Sequence, residues 1–450
     1  MAGMTLSEKL LSRSAGKPLR AGDIGICKVD YAMGTDGSVP MALDYFSAMG
    51  GTRVFSAEQL LFALDHYAPA PSPKSAMLQV RIRRFAAEHG ITVFDVGAGI
   101  GHQIVVEQAY ARPGRLLVGA DSHAVTYGAA NCFATGIGSS DLAGVMMTGE
   151  VWLKVPATIK VNLTGRLRGG ASAKDLALSL ARKLGSDGAA YQALEFHGAG
   201  VAKLDFDDRL VIANMSVEMG AKNAVFAADT VTFDYLSARL EGGAAGNALA
   251  RCVEDALYAD PDAVYASEIT VVLDDVEPCV ALPHQVDQVV PVAQVSGTPV
   301  QMVYLGTCTG GRVKDFREAL DVLMRHGGPA PGVQLVVTPA SREIMESLAR
   351  GGELADFLAM GAIVVTPGCG SCCGTGGAIP ADGVNVISTA NRNFKGRMGN
   401  ATANIFLASP RVCAASAVAG HIIAPRALDD HTKLLKSEPL KSDSPKPAQP

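Results

Sequence analysis

Two glycine-rich loops, each leaving a short apolar stretch and each carrying cysteine, limit what this chain can fold into more than any other feature. Gln301 to Leu305 leads into Gly306-Thr307-Cys308-Thr309-Gly310-Gly311-Arg312, and Ala362 to Thr366 leads into Pro367-Gly368-Cys369-Gly370-Ser371-Cys372-Cys373-Gly374. Both apolar stretches read as strands. Between them the pattern predicts a helix over Val313 to Arg325, a strand over Val333 to Thr338 and a helix over Ser341 to Arg350. Strand alternating with helix means a parallel sheet, and such sheets bind ligands outside the carboxyl ends of their strands. The two loops should therefore face one crevice and bring three thiols together. Their glycines leave backbone amides free to donate to sulfur or to an anion.

The same rhythm runs through the rest of the chain. Strands are predicted at Ala21 to Asp30, Thr92 to Val96 and Leu116 to Ala120, with helices over Ser56 to Leu64 and Ser75 to Glu88. A strand from Ala157 to Leu163 and a helix from Ser172 to Leu184 open a second unit, and Ser267 to Val300, with a strand at Ile269 to Leu273, reads as the link into a third. A last strand is predicted at Asn385 to Ser388. The 450 residues are too many for one core of ordinary size. The expected organisation is three α/β domains over 1–156, 157–280 and 281–427, followed at 428–450 by a Lys-, Ser- and Pro-rich disordered tail.

Charge and hydropathy exclude several functions. A net charge of −5 without a run of Lys and Arg gives no electrostatic footprint for nucleic acid. No apolar stretch reaches the roughly 18 residues of a membrane span, and Met1-Ala-Gly-Met-Thr lacks the features of a signal peptide. A soluble, cytoplasmic chain is expected. Its nine cysteines are an odd number without an export signal, so reduced thiols free to bind metal are a better reading than disulfides.

A CxxC alone does not say which metal, or whether there is one. A closed zinc site wants four ligands, and no second CxxC or HxxxH stands at suitable spacing. A thioredoxin-like pair wants an early βα turn, whereas this motif comes late. Three cysteines suit a cubic iron–sulfur cluster with one iron lacking a protein ligand, which could act as a Lewis acid on a substrate hydroxyl.

Six segments carry a resemblance. They are Asp65-His66 in LFALDHYAP, Gly99-Ile100-Gly101-His102-Gln103, Gly119-Ala120-Asp121-Ser122-His123, Asn214-Met215-Ser216-Val217-Glu218-Met219-Gly220-Ala221, the two cysteine loops, and Ser388-Thr389-Ala390-Asn391-Arg392-Asn393-Phe394-Lys395-Gly396-Arg397. In order and spacing the chain resembles the large subunit of the aconitase and isopropylmalate dehydratase family from about Leu6 to Ala427. The resemblance implies three α/β domains of the aconitase type around a central cluster, without the fourth, swivelling domain. It implies one 4Fe-4S cluster on Cys308, Cys369 and Cys372, with Cys373 left to packing.

It also implies three His–carboxylate pairs, Asp65 with His66, Asp121 with His102, and Glu218 with His123. A carboxylate beside an imidazole fixes its tautomer and favours the protonated form, which makes His66 the expected proton donor to a departing hydroxyl. Arg392 and Arg397 are expected to hold substrate carboxylates, since guanidinium forks bind them bidentately. Asn391 is expected beside the cluster, and Asp36, Ser38, Ser122 and Tyr127 lie in matching segments, the first three as substrate contacts. A separate small subunit is expected to bring the swivelling domain, a serine base and a further arginine.

The implied reaction dehydrates and rehydrates a substituted malate, a di- or tricarboxylic hydroxy acid. 3-Isopropylmalate is the leading substrate. Two departures leave 2,3-dimethylmalate, methylmalate or homoaconitate as alternatives: Gly310 stands where many relatives have Asn, and Gly34-Thr35-Asp36-Gly37-Ser38 replaces the leucine-pathway His-Glu-Val-Thr. Two readings of other classes are an iron-responsive RNA-binding regulator and a zinc scaffold; the acidic balance opposes the first.

Overall fold

The computed structural model describes residues 3–240 and 245–430, and three parallel sheets organise them. The first runs, edge to edge, Thr92–Phe94, Leu60–Ala63, Tyr31–Thr35, Leu116–Gly119 and Phe133–Gly136. The second runs Asn223–Phe226, Gln192–His197, Ala157–Thr164 and Ser267–Val272. In the third, Asn404–Ala408, Asn385–Ser388, Met302–Gly306, Gln334–Thr338 and Ile363–Val364 are parallel, and Cys279–Ala281 with Val289–Pro291 extend one edge antiparallel. Numbered along the chain, the parallel strands of each sheet lie in the order 3-2-1-4, with a fifth beyond in the first and third sheets. The order reverses between strands 1 and 4, and a crevice opens there at the carboxyl ends. One architectural rule is thus used three times, although the sequence shows no short repeat.

Buried apolar runs make the central strands. Leu60, Leu61, Phe62 and Ala63 are all buried, as a strand covered on both faces requires. The helix expected over Ser56 to Leu64 is therefore only a short 3-10 turn, Ala57–Gln59, followed by this strand. A short continuous apolar run does not distinguish the two states by periodicity. The strand expected over Ala21 to Asp30 is Ile24–Lys28, which forms an antiparallel ribbon with Glu150–Lys154, while Tyr31–Thr35 enters the sheet. Ser267–Val272 pairs with Ala157–Thr164, and Cys279–Ala281 already belongs to the third sheet, so the boundary expected at 280 falls inside a strand.

Helices close the layers where their caps and stripes predict. Ser172 caps Ala173–Leu184 in a capping box with Asp175. Val313–Arg325 buries Phe316, Ala319, Leu320 and Leu323, a single face at 3.6-residue period. The tail expected at 428–450 lies outside the described residues from 431 onward, and Leu428 still packs into the third core. Among the described residues no helix is long and apolar enough to cross a membrane.

Candidate active site

The ends of the first sheet supply the acid–base groups. Asp65 follows Leu60–Ala63 and is 1 % exposed; its Oδ1 lies 2.7 Å from His66 Nδ1, and its Oδ2 accepts the Gly101 amide at 2.8 Å. Asp121 follows Leu116–Gly119 across the switch point, and all three imidazoles of the site meet it. Its Oδ1 is 2.9 Å from His102 Nε2 and 3.4 Å from His123 Nδ1, and its Oδ2 is 3.4 Å from His66 Nε2. Burial opposes a charged Asp121, but the imidazoles together hold it well below the usual carboxylate range. Burial likewise opposes a charged His66, yet Asp65 and Asp121 on its two sides raise it well above an ordinary imidazole.

The other two histidines are oriented in the same way. His102 places Nε2 on Asp121, which leaves Nδ1 to accept from the buried Tyr127 hydroxyl at 2.9 Å. Glu218, on the 3-10 turn after Phe206–Met215, sets Oε1 2.8 Å from His123 Nε2. The same oxygen accepts Arg392 Nε at 2.7 Å, and Arg392 Nη2 donates to Ser122 Oγ at 2.9 Å. Burial opposes the charged Glu218, and His123 with Arg392 outweighs it and lowers its carboxyl.

The third sheet supplies the thiols. Met302–Gly306 leads to Cys308, Ile363–Val364 to Cys369 and Cys372, and Asn385–Ser388 to Asn391 and Arg392. One amide spans the two loops: Asn391 Nδ2 donates to Cys308 Sγ at 3.3 Å, and its Oδ1 is 3.7 Å from Cys372 Sγ. Asn214 Nδ2 donates to Cys308 Sγ at 3.1 Å and to Thr126 Oγ1 at 2.8 Å. Arg397 Nη2 lies 3.4 Å from Cys372 Sγ, with Nε buried and unpartnered among the described residues. Cys369 and Cys372 contact each other, and none of the described cysteines is in a disulfide. Burial pushes the Cys308 thiol up to about 12. The Cys369 contact and the Arg397 charge, against burial, hold Cys372 well below an ordinary thiol.

His66 joins the two halves, its ring within 4.8 Å of the sulfurs of Cys369 and Cys373. Cys373 is half-buried, and its thiol donates to the Cys369 carbonyl at 3.2 Å and meets Thr375 Oγ1 at 2.9 Å. Thr307, just before Cys308, is a buried β-branched residue at φ +76°, a left-handed conformation that costs energy and fixes the loop. At Gly310 a Cβ would sit 2.3 Å from Thr389 Cβ. A side chain at this position would therefore have to displace Thr389.

Asp36 and Ser38, expected as substrate contacts, have hydrogen-bond partners within the protein. Asp36 is fully buried, and its oxygens accept the His66 amide at 2.8 Å, the Tyr67 amide at 3.1 Å and Gln79 Nε2 at 3.0 Å. It supports the His66 and Tyr67 backbone. Ser38 Oγ closes its own turn on the Thr35 amide at 3.0 Å. Arg397, expected on a substrate carboxylate, points one guanidinium nitrogen at sulfur. Sequence reasoning quoted Asn214 within a motif but gave it no role, and it passed over Lys174 altogether. Lys174 is 2 % exposed, although a lysine in the first turn of an amphipathic helix ordinarily lies at the surface.

The class this fold and site define is an α/β enzyme that brings imidazole–carboxylate pairs and thiols, joined through His66, to the carboxyl ends of parallel strands. The model of the Aconitase family (aconitate hydratase) matches residues 20–420. The chain belongs to the aconitase family. It is 44% identical over 428 residues to the 3-isopropylmalate dehydratase large subunit 1 of Thermotoga maritima, covering 94% of this chain and 99% of that one. It is 43% identical over 432 residues to the homoaconitase large subunit of Thermus thermophilus, covering 95% and 99%.

Proposed function

We propose that this chain is the large subunit of an iron–sulfur hydro-lyase that removes and re-adds water on a substituted malate, with 3-isopropylmalate as substrate. A separate small subunit completes the site, as the name of the Thermotoga relative suggests. The observation that carries the reading is His66, held between Asp65 and Asp121 and within 4.8 Å of two cysteine sulfurs. An acid so placed can reach an oxygen that also meets a metal.

Cys308, Cys369 and Cys372 are the proposed ligands of one 4Fe-4S cluster. The donor set suits it: thiols that take hydrogen bonds from Asn214, Asn391 and Arg397, with no fourth protein thiol required. When bound, such a cluster supplies a Lewis acid for the oxygen to be lost. His66 donates a proton to the departing hydroxyl from Nε2, while Asp65 holds Nδ1. Asp121 fixes the ring orientations of His102 and His123. Ser122 and Arg392, already joined, offer a hydroxyl and a guanidinium to a substrate carboxylate, and Arg397 stands beside Cys372 for a second. Tyr127 keeps His102 in one tautomer.

Homoaconitate hydration is the second reading, favoured by the Thermus relative at almost equal identity. Co-expression with the small subunit, anaerobic reconstitution and assay against a panel of substituted malates separates the two. Stoichiometric zinc without iron or acid-labile sulfide would falsify the cluster.

A further inference from the structure

Lys174 sits in the first turn of Ala173–Leu184 in the second unit, and its ammonium is buried where no surface lysine belongs. Its Nζ donates to the Ala390 carbonyl at 2.5 Å, the Thr389 carbonyl at 3.1 Å and Thr309 Oγ1 at 3.4 Å, and lies 3.7 Å from Met215 Sδ. Three donors find three oxygens, the full capacity of an ammonium. Among the described residues no carboxylate is ion-paired with it.

Those acceptors are not scattered. Ala390 immediately precedes Asn391 and Arg392, Thr309 immediately follows Cys308, and Met215 immediately follows Asn214. One side chain from the second sheet's layer thus ties the three segments that present the Cys308 loop, its two amide donors and the Arg392 guanidinium. Thr309 Oγ1 in turn donates to the Thr389 carbonyl at 2.9 Å, which closes a small network around the ammonium. A buried cation with no directly paired carboxylate carries a desolvation penalty unless an anion lies near. Neutral carbonyls offset part of it; Asp315 contributes a negative charge at longer range, and the thiolates of Cys308 and Cys372, the proposed ligands of a cluster, would contribute more.

We propose that Lys174 is a positioning residue that sets the Asn391–Arg392 segment against the Cys308 loop and places a buried positive charge beside the iron–sulfur group. The inference rests on the cluster reading above and adds to it a residue that touches neither substrate nor iron.

The test uses Lys174→Gln and Lys174→Met in the full chain, co-expressed with its small subunit and reconstituted beside wild type. Gln keeps hydrogen bonds without charge, and Met keeps neither. Three quantities are read: iron and sulfide per chain, the reduction midpoint potential of the cluster, and KM against kcat. Both variants are expected to shift the potential negative, because removing a nearby positive charge disfavours the added electron. Met is expected to raise KM about ten-fold or more with a smaller change in kcat, and Gln to raise it less. Wild-type potential and KM in a folded Gln variant would overturn the inference while leaving the cluster reading intact. Failure of both variants to fold would assign Lys174 to folding alone and overturn it too. A wild-type protein without iron and sulfide would sink the cluster reading and this inference with it.

Discussion

The backbone carbonyl of Asp65 accepts the amide hydrogen of Cys369 at 2.7 Å. The residue that orients His66 through its carboxylate therefore also docks the second cysteine loop through its main chain. Acid–base group and thiol share one anchor, and a shift of the loop is a shift of the acid.

Gly368 makes that anchor possible, since a Cβ there would lie 2.9 Å from the Asp65 carbonyl and 3.0 Å from Ala68 Cβ. Gly368→Val is expected to destabilise the pairing by about 1–3 kcal/mol, the usual cost of overpacking. Iron content and turnover should fall together in anaerobically purified protein. A variant that keeps both at wild-type level would separate the loop from the acid.

The roles of the cysteines and His66 separate by spectroscopy. Cys369→Ser should lose the brown absorbance and the activity, whereas Cys373→Ser, whose hydroxyl can still reach the Cys369 carbonyl and Thr375, should retain the cluster. His66→Ala should keep the absorbance and lose about two to four orders of magnitude in turnover, the range of a general acid. Bleaching in Cys373→Ser alone would move the ligand assignment by one residue.

Arg392 spans Glu218 and Ser122 with two different nitrogens. Lysine has one point charge and no fork, so Arg392→Lys should be far from conservative. A rise in KM of about ten-fold or more is expected, with unchanged iron content. An unaltered KM would remove Arg392 from substrate binding.

Much of this site is legible in the sequence because its chemistry lies at strand ends. Val313–Arg325 and Asn385–Ser388 have the bounds that periodicity predicts, and both cysteine loops follow from the strands before them. What the sequence does not show has physical causes. Leu60–Ala63 shows no alternation because both faces are covered, and nothing local says that the oxygens of Asp36 take the amides of His66 and Tyr67, far along the chain. Lys174 is the extreme case. Its partners lie in residues 309 and 389–390, and only the packing of the second unit on the third brings them to it.

A half-buried pair away from the site sets one limit on acid stability. Arg209, fully buried, donates Nη1 and Nη2 to the two oxygens of Asp229 at 2.7 and 2.6 Å, and Asp229 also caps Thr230–Arg239 through the Thr232 amide. Burial raises the Asp229 carboxyl, but the Arg209 hydrogen bonds and charge outweigh it and hold it below its ordinary value. A carboxyl lowered in the folded state contributes stability that is complete above its unfolded value of about 3.9 and is lost as pH falls through the folded value. Asp229→Asn keeps a cap but leaves the buried guanidinium without its counter-charge. At about pH 7 it should lower the unfolding free energy by about 2–3 kcal/mol, in the range for a hydrogen bond to a charged group. The gap between wild type and variant should then narrow as pH drops below about 4, because only wild type has this carboxylate to protonate. Urea unfolding midpoints across that range measure the gap directly, and a gap that stays constant down to about pH 2 would show that the pair's charge contributes nothing.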